Sequence, residues 1–302
     1  MAANPPDVAA EEVRAEGTAP GPASPQAARA EHPAAGTILP VRGPDLPFIL
    51  ALGLIASVYV VLIVGMISST MFYVQWPIIG EVFSNPRYRY AVMLTLISCS
   101  ITTILSVWVA VPTAYLMTRV DFRGKRLVDA ILDIPIVLPP LVIGLALLML
   151  FQTPPGRFLQ GYVRFTYAIP GVILAQFMVS SAFAIRTMMA AFAEINPRQE
   201  QVAVTLGCTR AQAFWWVVLP EARRGMVPAA TIAWARAMGE FGPVLVFAGT
   251  TPMRTEVMPT SIFLELQVGN LGMAAGIAMV MVALALAVLV LMRWAGHSAK
   301  LL

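Results

Sequence analysis

Arg236 and Glu240 are the residues with the clearest chemical potential, because they lie in an otherwise apolar stretch, 226–249. Their i, i+4 spacing places both on one face of a helix, where they could form an ion pair. A charge at the centre of a bilayer costs roughly 2.5–3.5 kcal/mol on insertion scales, so the two should pair or face a polar cavity. Two interpretations stay open: a structural ion pair between helices, and a position on a path for a polar solute. Gly239 and Gly242 would allow close helix contact or a local break beside the pair.

The sequence lacks the motifs of the common ATP-binding, hydrolytic and metal-dependent sites. It has no Gly-x-x-x-x-Gly-Lys-Ser/Thr phosphate loop, no Gly-x-Ser-x-Gly nucleophile elbow and no His-Glu-x-x-His helix. His32 and His297 lie far apart in the chain, and neither is a credible metal ligand. Cys99 and Cys208 are expected to be reduced thiols. We therefore expect no metal and no cofactor on this chain, and no residue pair stands out that could serve an intramembrane enzyme.

The composition indicates a membrane protein. Apolar residues make up 58% of the 302 residues and charged residues 12%, whereas an ordinary soluble domain has roughly 25% charged residues. A helix crosses a bilayer core with about 20 apolar residues, and the runs here are continuous rather than alternating, which favours helices over a barrel. With 226–249, the sequence predicts an all-α integral membrane protein of about six transmembrane helices. The five other stretches carry no charge: 48–72, 90–118, 134–156, 165–185 and 267–292.

The basic residues predict how the chain is oriented. One large set lies after the second and fourth apolar stretches and at the C-terminal end, and a smaller set lies in the other connections. Because basic residues accumulate on the cytoplasmic side, the larger set predicts a cytoplasmic face that also carries both termini. The net charge of +4 reflects this bias, and we expect no nucleic-acid partner. The larger set is Arg119, Arg123, Lys125, Arg126, Arg198, Arg210, Arg223, Arg224, Arg293 and Lys300, and the smaller is Arg87, Arg89, Arg157, Arg164 and Arg254.

Two segments depart from a regular membrane helix. Residues 1–46 are rich in Ala, Pro, Glu and Gly and have few large apolar side chains, so we expect a disordered cytoplasmic tail before a transmembrane domain over 47–296. The stretch 134–156 begins with Pro135, Pro139 and Pro140. Since proline removes backbone donors, this start is expected to be kinked or partly unwound, either lining a cavity or as an ordinary kink.

The connection 194–224 is predicted to form two short helices separated by a glycine. It is too long for a turn and too polar to cross a membrane. Each helix has a capping-box start, a small polar residue with a glutamine three positions later, and the first also has proline at its first position. A glycine suits a left-handed stop after the first helix, and a proline is expected to end the second. The starts are Asn196-Pro197 with Gln199 and Thr209 with Gln212, and the stops are Gly207 and Pro220.

The first of these helices carries a small apolar stripe. Val202 and Leu206 share one face at i, i+4, with Ala203 beside them. Such a stripe, ringed by polar residues, would suit insertion into a groove on another protein. The alternative is an amphipathic helix that rests on the lipid surface. The ring consists of Arg198, Glu200 and Gln201.

The same connection resembles the EAA loop of ATP-binding-cassette (ABC) importer permeases. That loop has the order Glu-Ala-Ala, three residues, Gly, nine residues, an aliphatic residue, one residue and Leu-Pro. Gln201-Val-Ala203, Gly207 and Val217-Val-Leu219-Pro220 match it at the correct spacing. In that family the first helix is the coupling helix, which docks into a cleft of a cytoplasmic ATPase subunit. The resemblance therefore favours the protein groove over the lipid surface.

The chain departs from the family pattern at its first two positions. Gln201 stands where the family has Glu, and Val202 where it has the first Ala. Glu200 lies one position earlier, so either Glu200 supplies an acidic contact with the ATPase or that contact is neutral. By resemblance, the ATPase-coupling residues are Glu200, Gln201, Val202, Ala203, Leu206, Gly207, Leu219 and Pro220.

A second segment resembles the oxyanion branch of this family. Residues 234–249 look like the Ala-Arg-Ala-x-Gly-Glu-Phe-Gly segment that molybdate, tungstate and sulfate permeases share. Leu138-Pro-Pro140 with Gly144 fits the same branch. We hypothesise that this segment belongs to the translocation pathway or its gate, which would then contain Arg236, Gly239, Glu240 and Gly242.

The resemblance implies a type I importer permease with the methionine-permease-like fold, in a bacterial inner membrane. Its expected partners are a cytoplasmic ATPase that binds ATP and Mg, an external solute-binding protein, membrane lipid and a second permease chain, most simply in a homodimer. The cargo expected first is molybdate or tungstate, with sulfate or thiosulfate as the alternative. A different class stays open: an ion-driven secondary transporter with Arg236 and Glu240 as its coupling site.

Overall fold

The computed structural model describes residues 46–74 and 76–298 of the chain. The predicted tail, 1–46, lies outside the described residues except for its last one, which begins the first helix. The described part contains twelve α-helices and two turns of π-helix, and no strand. The α-helices are α1 Leu46–Tyr73, α2 Trp76–Ser84, α3 Pro86–Arg119, α4 Lys125–Val137, α5 Pro140–Gln152, α6 Pro154–Tyr162, α7 Ile169–Glu194, α8 Pro197–Thr205, α9 Arg210–Ala213, α10 Leu219–Met238, α11 Met258–Gln267 and α12 Leu271–Ser298.

The chain divides at Val60 into two units, Met1–Val60 and Val61–Leu302. The described part of the first unit is 46–60, the first half of α1, which is apolar and exposed along its length. The second unit contains the remaining helices and the buried core. The candidate functional residues named from the sequence all lie in the second unit.

Four described helices are long and apolar enough to cross a membrane: α1, α3, α7 and α12. A fifth crossing results if α4 and α5 form one span, because they pass the same test together. The helix α10 is also 20 residues long, but Glu221, Arg223 and Arg224 place charge on its first two turns. It is not one of these candidate spans. The prediction of an all-helical membrane protein is confirmed.

The helices α3 and α7 run side by side in the same direction. The Thr102 hydroxyl donates to Gln176 Oε1 at 3.2 Å near the middle of the pair. At their C-terminal ends, Arg119 Nη2 donates to the Ile195 carbonyl at 2.7 Å. The helix α10 packs against both with small side chains, including Ala229 and Ala233, which are fully buried. These three helices form the centre of the second unit.

The stretch 134–156 is not one continuous helix. The axes of α4 and α5 are bent by 113° at Leu138 and Pro139. The proline pair Pro139-Pro140 explains the break: Pro140 opens α5, and a proline disfavours the helical conformation of the residue before it. The predicted kink is therefore a sharp bend of 113° between two separate helices.

The stretch 226–249 is broken as well. The helix α10 begins earlier, at Leu219, and ends at Met238. After five intervening residues, the turn Val244–Ala248 is wound as a π-helix. The prediction that Pro220 ends the second helix of the connection was wrong. Pro220 lies in the first turn of α10 and directly after a π-helical turn, so the helical run passes through it instead of stopping. The π-helical turn Phe214–Val218 joins α9 directly to α10.

The two breaks lie against each other. A Cβ added at Gly144 of α5 would lie 2.8 Å from Pro243 Cα, and one added at Gly242 would lie 3.0 Å from the Leu141 backbone nitrogen. Only glycine leaves space for backbone this close. The start of α5 and the break after α10 therefore form one contact between two irregular backbone segments.

A buried charge cluster joins the start of α3 to α11. Arg87 Nη2 donates to Glu256 Oε1 at 2.8 Å, and Arg87 Nη1 to Glu265 Oε1 at 3.2 Å. Tyr88 and Ser261 add hydroxyl donors to the two carboxylates at 2.9 Å. Breaking a buried ion pair from one side costs roughly 3–5 kcal/mol, so this cluster fixes α11 firmly. Arg87 was expected only as a basic residue of a connection, and no local pattern in the sequence indicates its partners Glu256 and Glu265.

The contact between the two breaks generates a stability prediction. Gly144→Ala places a methyl group against the Pro243 backbone, and overpacking of this kind costs roughly 1–3 kcal/mol. We expect a lower unfolding temperature for the detergent-purified protein and a smaller amount in the membrane.

Gly80→Ala is the matched control, because a Cβ at this helical position meets nothing within 4 Å. It should leave the unfolding temperature unchanged or raise it slightly. Equal unfolding temperatures for both variants would contradict a close approach at Gly144.

Candidate functional site

The coupling loop, 194–224, is built as helix, glycine and helix. Asn196 begins α8 as an N-cap, accepting the Arg198 backbone N–H at 3.0 Å. Gln199 forms no reciprocal capping bond among the described contacts; its own N–H donates to the Asn196 carbonyl. Gly207 ends the helix with φ +96°, as predicted. The sequence therefore fixed the direction of the chain at both ends of α8.

The second half of the loop begins with the predicted capping box. The Thr209 backbone N–H donates to Gln212 Oε1 at 2.8 Å, and the Gln212 N–H donates to the Thr209 hydroxyl at 3.2 Å. The helix α9 that follows is only four residues long before the π-helical turn begins. Leu219 and Pro220 then start α10, so they connect the loop to the bundle rather than adding to the surface of α8.

The predicted apolar stripe of α8 is exposed. Leu206 is 81% exposed and Val202 57% exposed, while Ala203 between them is buried against the rest of the chain. Gln201 and Gly207 are exposed as well. A helix that buries its small residue and exposes its large apolar ones has a free face for a groove on another molecule.

Glu200 points toward the bundle and away from this free face. The Tyr115 hydroxyl donates to Glu200 Oε1 at 2.5 Å, and Arg119 Nε lies 3.9 Å from Glu200 Oε2. The Glu200 side chain is 17% exposed. The sequence did not indicate either partner of Glu200. Arg119 was expected only as a basic residue of a connection, and the only local signal at Tyr115 is that it lies one helical turn before Arg119.

The predicted pair Arg236 and Glu240 forms, with Arg236 Nη1 2.5 Å from Glu240 Oε2. Glu240 is 1% exposed, whereas the Arg236 side chain is 30% exposed and lies over the Phe183 ring, 5.6 Å from its centroid. Among the described residues, no hydrogen bond reaches either Glu240 carboxylate oxygen. Since a buried charge needs a partner, the Glu240 carboxylate depends on its ion pair with Arg236 to offset the cost of its burial.

The two glycines beside this pair have different surroundings. Gly239 caps the C-terminal end of α10 and is exposed. Gly242 is packed against Pro140 and Leu141 at the start of α5. Irregular backbone at membrane depth is tolerated only where protein buries it or a cavity solvates it. Of the four residues of the predicted gate, Gly242 lies at the contact between the two broken helices, and the other three precede it on the same segment of the chain.

The coupling loop and the charge pair lie at opposite ends of one helix. Leu219 begins α10 directly after the loop, and Arg236 lies in its last turn. Twenty helical residues span about 30 Å. The loop and the charge pair are therefore connected by one helix, which contains Pro228 in its interior.

Comparison with known proteins assigns this architecture. Residues 108–300 match the family described as the inner membrane component of binding-protein-dependent transport systems. The chain belongs to this family of ABC importer permeases.

Its relatives include permeases of three oxyanion systems. The chain is 35% identical over 218 residues to the sulfate transport system permease protein CysT of Escherichia coli K12, covering 71% of this chain and 79% of CysT. It is 31% identical over 252 residues to the molybdate/tungstate transport system permease protein WtpB of Pyrococcus abyssi, covering 83% and 95%. It is 30% identical over 218 residues to the molybdenum transport system permease protein ModB of Escherichia coli K12, covering 70% and 95%. The chain is therefore an importer permease of the oxyanion branch.

Solved structures confirm the fold. A chain of a bacterial alginate ABC transporter aligns with a TM-score of 0.66 at 18% identity, covering 82% of this chain and 93% of that one. A chain of the MetNI methionine ABC transporter aligns with a TM-score of 0.53 at 22% identity, covering 69% and 92%. The predicted methionine-permease-like fold is confirmed.

Proposed function

We propose that this chain is the membrane-spanning subunit of an ATP-driven importer of molybdate or tungstate, in a bacterial inner membrane. The observation that carries the proposal is the exposed stripe of Val202 and Leu206 on α8, in a chain of the oxyanion branch of ABC importer permeases. Sulfate or thiosulfate is the alternative cargo. The match to the molybdate/tungstate permease WtpB covers 95% of that protein and supports the first choice.

The energy source in this proposal is a separate ATPase subunit. The chain has no phosphate loop, so ATP and Mg bind to the partner and the permease itself performs no hydrolysis. The helix α8 docks its apolar stripe into a groove of that subunit. Gln201 and Gly207 lie on the same exposed segment, whereas Leu219 and Pro220 transmit the movement into α10.

The assembly in this proposal has two permease chains and an external binding protein. Each chain offers one α8, so two ATPase subunits require two chains, most simply a homodimer about a two-fold axis. The binding protein captures the oxyanion and delivers it at the opposite face. ATP binding draws the two α8 helices together, and the bundle rocks between its two openings.

The charge pair supplies the gate in this proposal. Glu240 neutralises Arg236 where the two backbone breaks meet, and the exposed part of Arg236 provides a cation that a passing oxyanion can approach. A secondary transporter would use the same pair as an ion-coupling site and would need no ATPase. The exposed stripe of α8 favours the ATP-driven alternative.

The decisive test is to purify the chain from the membranes of its native host and measure ATP hydrolysis in liposomes. We expect a co-purifying ATPase whose hydrolysis rises when the binding protein is added with molybdate or tungstate, and rises little with sulfate. Leu206→Asp should remove most of the ATPase subunit, because a charge would be buried in the groove without a partner. Leu206→Met keeps the size and apolar character and is the matched control.

Each arm of this experiment has a distinct reading. A preparation without ATPase would reject the ATP-driven importer in favour of the secondary transporter. Stimulation by sulfate alone would keep the importer and replace its cargo. If the Leu206→Asp variant retains the wild-type amount of ATPase subunit, α8 is not the docking helix.

The orientation can be tested at Cys208, a partly exposed thiol in the coupling loop. If α8 and both termini are cytoplasmic, a membrane-impermeant maleimide labels Cys208 in inside-out vesicles and leaves it unlabelled in intact cells. Cys208→Ser should remove this labelling, because the other thiol, Cys99, is buried. Labelling in intact cells would reverse the proposed topology.

The gate can be tested with Glu240→Gln, which keeps the side-chain volume and removes its charge. Arg236 then lacks its counter-ion, and we expect anion uptake to fall by at least about tenfold, the effect of about 1.4 kcal/mol, at an unchanged amount in the membrane. Glu81→Gln, at an exposed position on α2, is the control. Unchanged uptake, or a lower unfolding temperature with normal uptake per molecule, would assign the pair a purely structural role.

A further inference from the structure

The side of α8 that faces the bundle carries one directional contact with a transmembrane helix. Glu200 accepts the Tyr115 hydroxyl at 2.5 Å, and no other α8 side chain hydrogen-bonds to a transmembrane helix among the described contacts. Ala203 also faces inward, but a methyl group packs without fixing an angle. A short hydrogen bond to a carboxylate is both strong and directional. Glu200 therefore determines how α8 is rotated and held against α3.

Tyr115 also contacts the segments on both sides of α8. Its ring packs edge-on against Phe192, near the end of α7, with 5.9 Å between centroids. On the other side it packs against Phe214, which begins the π-helical turn before α10, with 4.7 Å between centroids. Aromatic pairs in this geometry are favourable beyond the area they bury. One tyrosine thus touches the segments before and after α8 as well as α8 itself.

Arg119 ties the same place to the end of α7. Its Nη2 donates to the Ile195 carbonyl at 2.7 Å and to the Phe192 carbonyl at 3.2 Å. A cation at the C-terminal end of a helix is favoured by the helix dipole. The remaining donor, Nε, is buried without a hydrogen bond and lies 3.9 Å from Glu200 Oε2. Arg119 therefore adds an ion pair to the hydrogen bond made by Tyr115.

We infer that Tyr115, Glu200 and Arg119 form a joint that makes α8 move as one body with α3 and α7. The inference rests on the proposed function, because it describes how the movement of α8 reaches the bundle. In this role Glu200 is a positioning residue on the inner side of α8, and the contact with the ATPase is left to the neutral residues of the exposed stripe. Of the two alternatives that the sequence left open, an acidic contact by Glu200 and a neutral contact, this inference takes the neutral one.

The joint is tested in the liposome complex with three variants. Tyr115→Phe removes the hydroxyl and keeps the ring contacts with Phe192 and Phe214. Glu200→Gln keeps an acceptor for Tyr115 but removes the charge facing Arg119, and Glu200→Ala removes both. Tyr162→Phe, an exposed tyrosine on α6, is the matched control for loss of a hydroxyl. The measurements are ATPase content, hydrolysis with and without loaded binding protein, and anion taken up per ATP hydrolysed.

We expect ATPase content to stay at the wild-type amount in all three variants. The ratio of stimulated to unstimulated hydrolysis, and the uptake per ATP, should fall by about tenfold in Tyr115→Phe and Glu200→Ala, the effect of losing a hydrogen bond to a charged group. Both quantities should fall less in Glu200→Gln, and in Tyr162→Phe both should equal the wild-type values.

Two results would overturn the inference while leaving the proposed function intact. Loss of the ATPase from both Glu200 variants, with Tyr115→Phe unaffected, would place Glu200 in the docking contact. Lower stability with unchanged uptake per ATP would make the three residues a fold brace that carries no movement. Absence of ATPase from the wild-type preparation would instead reject the proposed function, and this inference with it.

Discussion

Backbone that leaves a regular helix inside a membrane must be covered, because lipid offers no hydrogen-bond partners for free N–H and C=O groups. This chain has two breaks within apolar stretches, the bend of 113° at Leu138 and Pro139 and the break between Met238 and Val244. Each covers the other, with Gly144 and Gly242 allowing the backbones to approach closely. This contact holds the start of α5 against the segment that follows α10.

The position of α10 links this buried contact to the surface. It begins at the coupling loop, packs along α3 and α7 with small side chains, and ends at Arg236. Its small side chains let the backbones of these helices approach closely, whereas Trp234 and Met238 near its C-terminal end pack into a separate cluster. Such an element suits a permease whose bundle must move while the ends of its helices stay connected.

Charged residues connect helices at several positions in the described part of the chain. Arg186 of α7 binds Asp129 and Asp133 of α4, each at 2.6 Å. Arg87 clamps Glu256 and Glu265, and Arg119 lies beside Glu200. In each case one arginine joins elements that are distant in sequence. The net stabilisation by such a pair is modest because desolvating two charges costs free energy, but removing one partner leaves an unpaired charge and is strongly destabilising. These pairs therefore act mainly by fixing which helices are neighbours.

The sequence by itself determined the class and the local geometry. Long charge-free stretches require helices in lipid, Gly207 stops α8, Thr209 and Gln212 form their capping box, and the i, i+4 spacing brings Arg236 to Glu240. These features depend on residues within a few positions of each other, or on the solvent. The spacing of the coupling loop was also sufficient to identify the family.

Only the tertiary structure decided which distant segments meet. The pairing of Tyr115 with Glu200 joins residues 85 positions apart, and that of Arg87 with Glu256 joins residues 169 positions apart. No local pattern encodes such contacts, because they arise when several helices pack at once. For the same reason the role of Pro220 was predicted wrongly: proline stops a helix or starts one, and the π-helical turn before it decided which. The side of α8 on which Glu200 lies was settled by the helices packed against it.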